Sequence, residues 1–153
     1  MDYNIRKAKK SDLENIRNLV VELAIFEKEP NAVTATLKDY QINFEKGVFD
    51  AIIIEEDNKV IGTCIYYMTW STWKGRMLYL EDFVITQAYR QRGLGQFLFN
   101  ALLEEAKNLN VILVKWQVLD WNEPAIKFYE KNKAIIEKNW WNGKILFNEI
   151  KPV

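Results

Sequence analysis

The 153-residue chain balances 21 Lys+Arg against 21 Asp+Glu and contains no histidine and one cysteine, Cys64. The balance exerts no net pull toward nucleic acid or an anionic membrane, the missing histidines exclude Ser-His-Asp and Cys-His catalysis and histidine-ligated metals, and a lone cysteine excludes an intrachain disulfide or a cysteine-based zinc site. With 49% hydrophobic residues the length suits one packed domain over 1–153; "MDYNIRKAKK" has no apolar h-region and no apolar run reaches the ~18 residues that span a bilayer, so a soluble, cytoplasmic protein without nucleic-acid or membrane partners is expected.

In chain order, "YNIRKA" (Tyr3–Ala8) alternates like a short strand. "SDLE" offers Ser11 as a helix cap and Glu14 to close a capping box. Ile16, Leu19, Val20, Leu23 and Phe26 then share one helical face, and Pro30 ends that run. "TLKDYQINF" predicts a shorter helix stopped by Gly47. "FDAIIIEE" and "KVIGTCIYYMT" read as strands joined by a hairpin at "EDNK". "STWKGR" is the next turn, and "MLYLEDFVIT" (Met77–Thr86) is a further strand. Cys64 falls in an apolar run, where a buried thiol outweighs a reactive one. Leu94, Phe97, Leu98, Ala101 and Leu102 form the apolar stripe of a helix to about Asn108. "VILVKWQVL" reads as a buried strand, "NEPAIKFYEKN" as a helix capped by Asn122, and "WWNGKILFNEI" as one or two closing strands about an Asn142-Gly143 turn. The pattern is α+β (mixed α/β) with one crossover unit and no repeats or linker.

The join "YRQRGLGQF" (Tyr89–Phe97) follows a strand and opens a helix. A helix start presents free N–H groups and the positive end of the macrodipole, which suits a phosphate. Gly93 and Gly95 clear space there, and Arg90 and Arg92 add charge. No Gly-Lys-Ser/Thr follows, so this is not a Walker A loop. A third dinucleotide-type glycine is also missing, since Leu98 stands there. By itself the pair of glycines is equally compatible with a plain tight turn.

The longer stretch "YRQRGLGQFLFNALLEEA", with "YLEDFVI" before it and "WNEPAIKFY" after it, resembles the GNAT N-acetyltransferases, whose Arg/Gln-x-x-Gly-x-Gly/Ala signature it matches. The resemblance spans essentially the whole chain. Within GNATs the chain is similar to the diamine (spermidine/spermine) N-acetyltransferase family, and "STWKGRMLYLED" and "VLDWNEPAIKFY" are similar to its thialysine branch. The resemblance implies a central mixed, mostly antiparallel twisted sheet flanked by helices, acetyl-CoA as cosubstrate, no metal, a small-molecule amine as acceptor and a homodimer. It places the pantetheine arm on the backbone of Phe83, Val84 and Ile85. The pyrophosphate falls on Gln91, Arg92, Gly93, Leu94, Gly95 and Gln96, and more of the coenzyme along Asn122, Glu123, Pro124 and Ala125.

A primary amine is mostly protonated at neutral pH and must lose a proton before attacking a thioester. Without histidine, a carboxylate acting through water is a sensible base and a tyrosine hydroxyl a sensible acid. Glu81 and Asp82 are the obvious carboxylates. As strand neighbours they point to opposite faces unless a bulge intervenes, which gives them separate tasks. By resemblance Glu81 is the base, Asp82 attracts the cationic substrate and Tyr129 protonates the departing thiolate. The same resemblance maps substrate contacts to Phe26 and Glu27 and to Lys115, Trp116 and Gln117. Ser71 stands where the polyamine branch carries an aspartate, Lys74 adds positive charge, and no acidic pair occurs near Asn139-Trp140-Trp141. Each change favours a shorter amine bearing a carboxylate, such as thialysine, over a polyamine. Trp70, Trp73, Trp140 and Trp141 are either walls of an amine pocket or ordinary packing. An acetyltransferase for protein amines and a non-catalytic CoA-binding module are the alternatives. Lys133 stands where the family places a helix-ending glycine, and Asn132 is expected to take the left-handed turn.

Overall fold

The computed structural model describes residues 2–147. Contacts divide the chain into two units, Met1–Gln117 and Val118–Val153. The first contains strands β1 (Tyr3–Lys7), β2 (Asp50–Glu56), β3 (Lys59–Ser71), β4 (Gly75–Ile85) and β5 (Leu113–Lys115), with helices α1 (Leu13–Phe26), α2 (Leu37–Glu45) and α3 (Leu94–Asn108). The second contains α4 (Glu123–Lys131).

The strands lie in the order β1-β2-β3-β4-β5. Neighbours are antiparallel up to β4, and β4 and β5 are parallel. This mixed, mostly antiparallel sheet with its β4-α3-β5 crossover is the architecture the sequence implies. The β2–β3 turn holds Asp57 and Asn58 at φ 49° and 63°, the left-handed pair that a two-residue hairpin needs. β2 is buried on both faces. On one face Ala51, Ile53 and Ile65 join Leu13 and Ile16 of α1, with Tyr40 and Phe44 of α2 packed against them. α3 packs on β2, β3 and β4 and buries Leu94, Leu98, Phe99, Leu102 and Ala106.

Several expectations change. The turn before α1 is capped by Asp12, whose Oδ2 accepts the Lys9 N–H at 2.7 Å, and not by Ser11. On α3 the core aromatic is Phe99, 2% exposed, whereas Phe97 is 60% exposed; the stripe turns one residue further round the helix. The buried strand read over Val111–Leu119 shrinks to Leu113–Lys115, because β5 has a three-residue pairing with β4. Residues 134–147 form no strand, and Gly143 is not in the left-handed region. Trp141 and Phe147 are 94% and 85% exposed, and among the described residues that unit contains no strand. Residues 148–150 of the expected terminal strand lie outside the described residues. The left-handed residue after α4 is Lys133 at φ 64°, not Asn132. Ala134 N–H reaches Tyr129 O at 3.0 Å and Lys133 N–H reaches Glu130 O at 2.9 Å, the paired bonds of a Schellman ending. Asn132 instead donates its side-chain amide to Phe128 O at 2.9 Å.

Candidate active site

β4 organises the first unit's chemistry. Its pairing with β3 shifts register: Tyr66 faces Leu80, but Ile65 faces Asp82. Glu81 is therefore the extra residue of a β-bulge. Antiparallel partners share a face and consecutive residues alternate, so Asp82 lies on the Ile65 side of the sheet while Leu80 lies on the other. That side is the one covered by α1 and α2. Glu81 is on the same side, because Tyr67, two residues beyond Ile65, donates its hydroxyl to Glu81 Oε2 at 3.1 Å. The expectation of opposite faces is thus corrected by the bulge.

The environments of the two carboxylates differ. Glu81 is exposed and Asp82 is half-buried. Burial first, then the charges of Glu81 and of Glu27 at the end of α1, push Asp82 up to about 7. Glu27 is itself pushed up by burial. Tyr40 of α2 is raised by burial and by the nearby Asp82 and Glu81, against an opposing pull from Arg17. The Tyr67 ring stacks on Tyr79 at 5.4 Å, and burial and Glu81 push its hydroxyl up to about 12, so it remains a donor. Among the described residues no set of acidic, cysteine or histidine side chains could hold a metal ion.

Beyond the bulge β4 runs straight into the glycine loop. Its pairing with β3 continues to Ile85, while its pairing with β5 covers Met77–Tyr79. A 3-10 turn (Gln87–Tyr89) leads to Gln91 at φ 63° and Gly93 at φ 76°, and α3 begins at Leu94. Gln91, Arg92 and Gly93 are exposed. Nothing lies within 4 Å of where a Cβ on Gly93 would stand, and one on Gly95 would meet only the Phe83 ring, at 3.9 Å. The loop therefore offers open space over the first turn of a long helix.

A family comparison decides what this strand-and-loop arrangement belongs to: residues 13–133 match the model of the Acetyltransferase (GNAT) family. The chain is a GNAT acetyltransferase. It is 32% identical over 136 residues to the thialysine N-epsilon-acetyltransferase of Mus musculus, covering 82% of this chain and 80% of that protein. Identity is also 32%, over 117 residues, with the thialysine N-epsilon-acetyltransferase of Caenorhabditis elegans, covering 76% and 73%. A solved aminoglycoside acetyltransferase from an uncultured soil metagenomic sample shares the fold with a TM-score of 0.80 at 16% identity, covering 95% of this chain and 96% of that one. The GNAT chain is an N-acetyltransferase acting on amines.

Its two loop arginines behave differently. Arg90 is an internal brace: Nε donates to Ile85 O at 2.8 Å, Nη2 approaches Glu22 at 3.6 Å, and the guanidinium lies 5.1 Å over the Phe26 ring. Arg92 is exposed and lies 4.9 Å over the Tyr89 ring. Sequence reasoning missed the anchors of this GNAT loop. Glu22 accepts from the Thr86 hydroxyl at 2.9 Å and the Gln87 N–H at 2.8 Å, and Glu56 accepts from the Tyr89 hydroxyl at 2.6 Å. These partners stand 33 to 65 positions apart and carry no local motif.

Other expected site residues fall as follows. Phe83 turns its ring edge-on to Phe99 at 5.9 Å, and Val84 and Ile85 are buried. Phe26 is partly exposed at the end of α1. Lys115 closes β5 opposite Tyr79, and Trp116, just beyond it, stands edge-on to Phe99 at 5.9 Å. Gln117 is exposed. Ser71 Oγ accepts the Lys74 N–H at 3.1 Å within the β3–β4 turn, and Trp70 and Trp73 are exposed on that hairpin. In the second unit Asn122 caps α4, its Oδ1 accepting the Ala125 N–H at 3.3 Å, with Pro124 in the first turn. Tyr129 is 7% exposed, edge-on to Phe128 at 5.5 Å. Cys64 is buried and pushed up to about 12 by burial, so it takes no part as a thiolate.

Proposed function

We propose that this enzyme transfers the acetyl group of acetyl-CoA to the primary amine of a small, amino-acid-like acceptor such as thialysine. The observation that carries the reading is β4 itself, which connects a bulge bearing two carboxylates to an open glycine loop at a helix start. The family match covers residues 13–133, which supports reading 1–153 as a single domain.

The residues fit the cosubstrate. Gly93, Gly95 and exposed Arg92 leave room and charge for a pyrophosphate at the start of α3, with Gln91, Leu94 and Gln96 completing the cradle. The backbone of Phe83, Val84 and Ile85 is read as the pantetheine track, and Asn122, Glu123, Pro124 and Ala125 as a further coenzyme contact. When bound, acetyl-CoA supplies an activated thioester. The chain's own residues are read as supplying the proton traffic: Glu81 receives a proton from the amine through water, Asp82 attracts the cationic acceptor, and Tyr129 returns a proton to the departing sulfur. Phe26, Glu27, Lys115, Trp116 and Gln117 are read as acceptor contacts. Thialysine carries a carboxylate that suits the Ser71 and Lys74 hairpin better than a polyamine does, and both mammalian and nematode relatives bear that name. A homodimer belongs to the same reading.

Initial rates of free-thiol release with acetyl-CoA, against thialysine, lysine, putrescine, spermidine and spermine at matched concentrations, test it. Preference for thialysine is the expected result. Preference for spermidine or spermine would mean that other acidic residues replace those missing at Ser71 and near Asn139-Trp140-Trp141. No turnover on any amine, with acetyl-CoA still bound, would favour a protein acceptor or a non-catalytic module. Tyr129→Phe should lower kcat at least ~10²-fold while leaving acetyl-CoA affinity unchanged in calorimetry; equal losses in both would remove its role as acid.

A further inference from the structure

Apolar packing fixes the first half of α1, where Leu13, Ile16 and Leu19 are buried, but not its end, where Ile25 and Phe26 are 59% and 42% exposed. Contacts to the glycine loop take over there. Glu22 reaches the start of the loop with both carboxyl oxygens: Oε2 accepts the Thr86 hydroxyl at 2.9 Å and Oε1 the Gln87 N–H at 2.8 Å. One turn further along, on the same side of the helix, the Phe26 ring lies 5.1 Å from the Arg90 guanidinium. Arg90 in turn places Nη2 3.6 Å from Glu22 Oε1 and donates from Nε to Ile85 O at 2.8 Å. The contacts close a ring that runs from α1 through Thr86, Gln87 and Arg90 and back to α1. Two other ties, Thr86 N–H to Ile61 O at 2.9 Å and the Tyr89 hydroxyl to Glu56 at 2.6 Å, run to β3 and β2. They hold the loop to the sheet and not to the helix.

We propose that Glu22 is a positioning residue: its two hydrogen bonds set the coenzyme loop and the acceptor end of α1 in place relative to each other. This rests on the acetyl-CoA reading above, in which the loop carries the pyrophosphate and Phe26 and Glu27 meet the amine. Glu22 itself touches neither substrate. The hydrogen bonds carry the role, not the pairing with Arg90, because a partly exposed ion pair at 3.6 Å contributes little. Two acceptors on one carboxyl group fix both the place and the direction of the turn at Thr86-Gln87. Without them water satisfies both donors and the turn loses its tie to α1. Bound coenzyme must then order the loop itself, at a cost in affinity, and the end of α1 no longer follows the loop.

The first test needs no ligand. In amide hydrogen exchange, Glu22→Ala should speed exchange at the Gln87 N–H by at least ~10-fold. Glu22→Gln, whose amide oxygen accepts the same N–H, should stay close to wild type. The second test is calorimetry with acetyl-CoA. Glu22→Ala should lose at least ~10-fold in affinity, and Glu22→Gln should recover most of the loss. Thr86→Val removes the hydroxyl and keeps the branched shape. Alone it should weaken binding less than Glu22→Ala does, and on top of Glu22→Ala it should add little, because both variants break one contact. Thr86→Val, with its fold checked by thermal unfolding, carries the test if Glu22→Ala is unstable. In steady-state kinetics, with whichever amine wild type acetylates, Glu22→Ala should raise KM for acetyl-CoA and for the amine more than it lowers kcat. A role in stability alone would lower the unfolding temperature and leave both KM values in place. Unchanged exchange at Gln87, a folded Glu22→Ala that binds acetyl-CoA as wild type does, a Glu22→Gln as weak as Glu22→Ala, or an unchanged amine KM would each overturn the proposal. Wild type that binds no acetyl-CoA would overturn the coenzyme reading, and this proposal with it.

Discussion

At the scale of single residues, the two loop glycines serve different ends. Gly93 sits at φ 76°, a conformation that an L side chain adopts only under strain. A substitution there mixes backbone strain with any crowding of a ligand. Gly95 is already helical, and a Cβ would make only ordinary contact with Phe83, at 3.9 Å. Gly95→Ala is therefore the cleaner probe. Alanine is the better helix former, by up to ~1 kcal/mol in a helix interior, so thermal unfolding should show equal or higher stability. The added methyl stands over the helix start, where the phosphates are proposed to bind, so acetyl-CoA affinity measured by calorimetry should fall at least ~10-fold. Unchanged affinity would remove Gly95 from the cradle. The glycines, Glu81 and Asp82 are legible as candidates because their residue types carry chemistry, and Tyr129 only through the family resemblance of "WNEPAIKFY" around it. Glu22, Glu56 and Tyr67 are not, because their roles arise only from partners brought together by folding.

At the scale of elements, β3 supports β4 through close packing as well as hydrogen bonds. A Cβ on Gly62 would stand 2.5 Å from Ile85 Cδ1, 2.9 Å from Ile54 Cγ2 and 2.9 Å from the Val84 carbonyl oxygen. The last of these is backbone and cannot rotate away. Gly62→Ala should destabilise by ~1–3 kcal/mol, and it should displace Val84 and Ile85, the proposed pantetheine track. Urea unfolding together with acetyl-CoA binding checks this; a variant as stable as wild type would show that β3 and β4 can separate without loss. The hairpins β2–β3 and β3–β4 were legible because their apolar periodicity and turn residues agree. The bulge was not, because "LYLEDFVI" alternates equally well with or without an extra residue. That one register shift reverses the face of Asp82 relative to Leu80. The failure at β5 has a related cause: an apolar run such as "VILVKWQVL" states what can be buried, but the length of its partner decides how much of it becomes strand. In residues 140–147, "WWNGKILF" has strand-forming residues and a turn dipeptide, yet no strand forms there, because propensity alone does not decide strand formation.

At the scale of the whole molecule, two groups of carboxylates pull stability in opposite directions with pH. Arg6 holds Asp12 through paired contacts at 2.8 and 3.0 Å and Glu55 at 3.1 and 3.2 Å. These hydrogen bonds lower Asp12 and Glu55 below their ordinary values. Their stabilisation is present above the unfolded values near pH 4 and disappears as pH falls through the lower folded ones. Asp82 has the opposite sign. Its folded value, about 7, lies above the unfolded 3.8, so the native state keeps its proton where the unfolded chain has lost it. Stability on this account is greatest below about pH 4 and declines as pH rises to about 7. Asp82→Asn removes the second effect and leaves the first. In urea unfolding the variant should gain on the order of 2 kcal/mol over wild type at pH 8 and little at pH 4, while both proteins lose stability alike in stronger acid. A gain in stability at a carboxylate proposed to hold the acceptor would be the usual mark of a site strained for function. An equal difference between the two proteins at pH 4 and pH 8 would show that the Asp82 charge is not what the fold opposes.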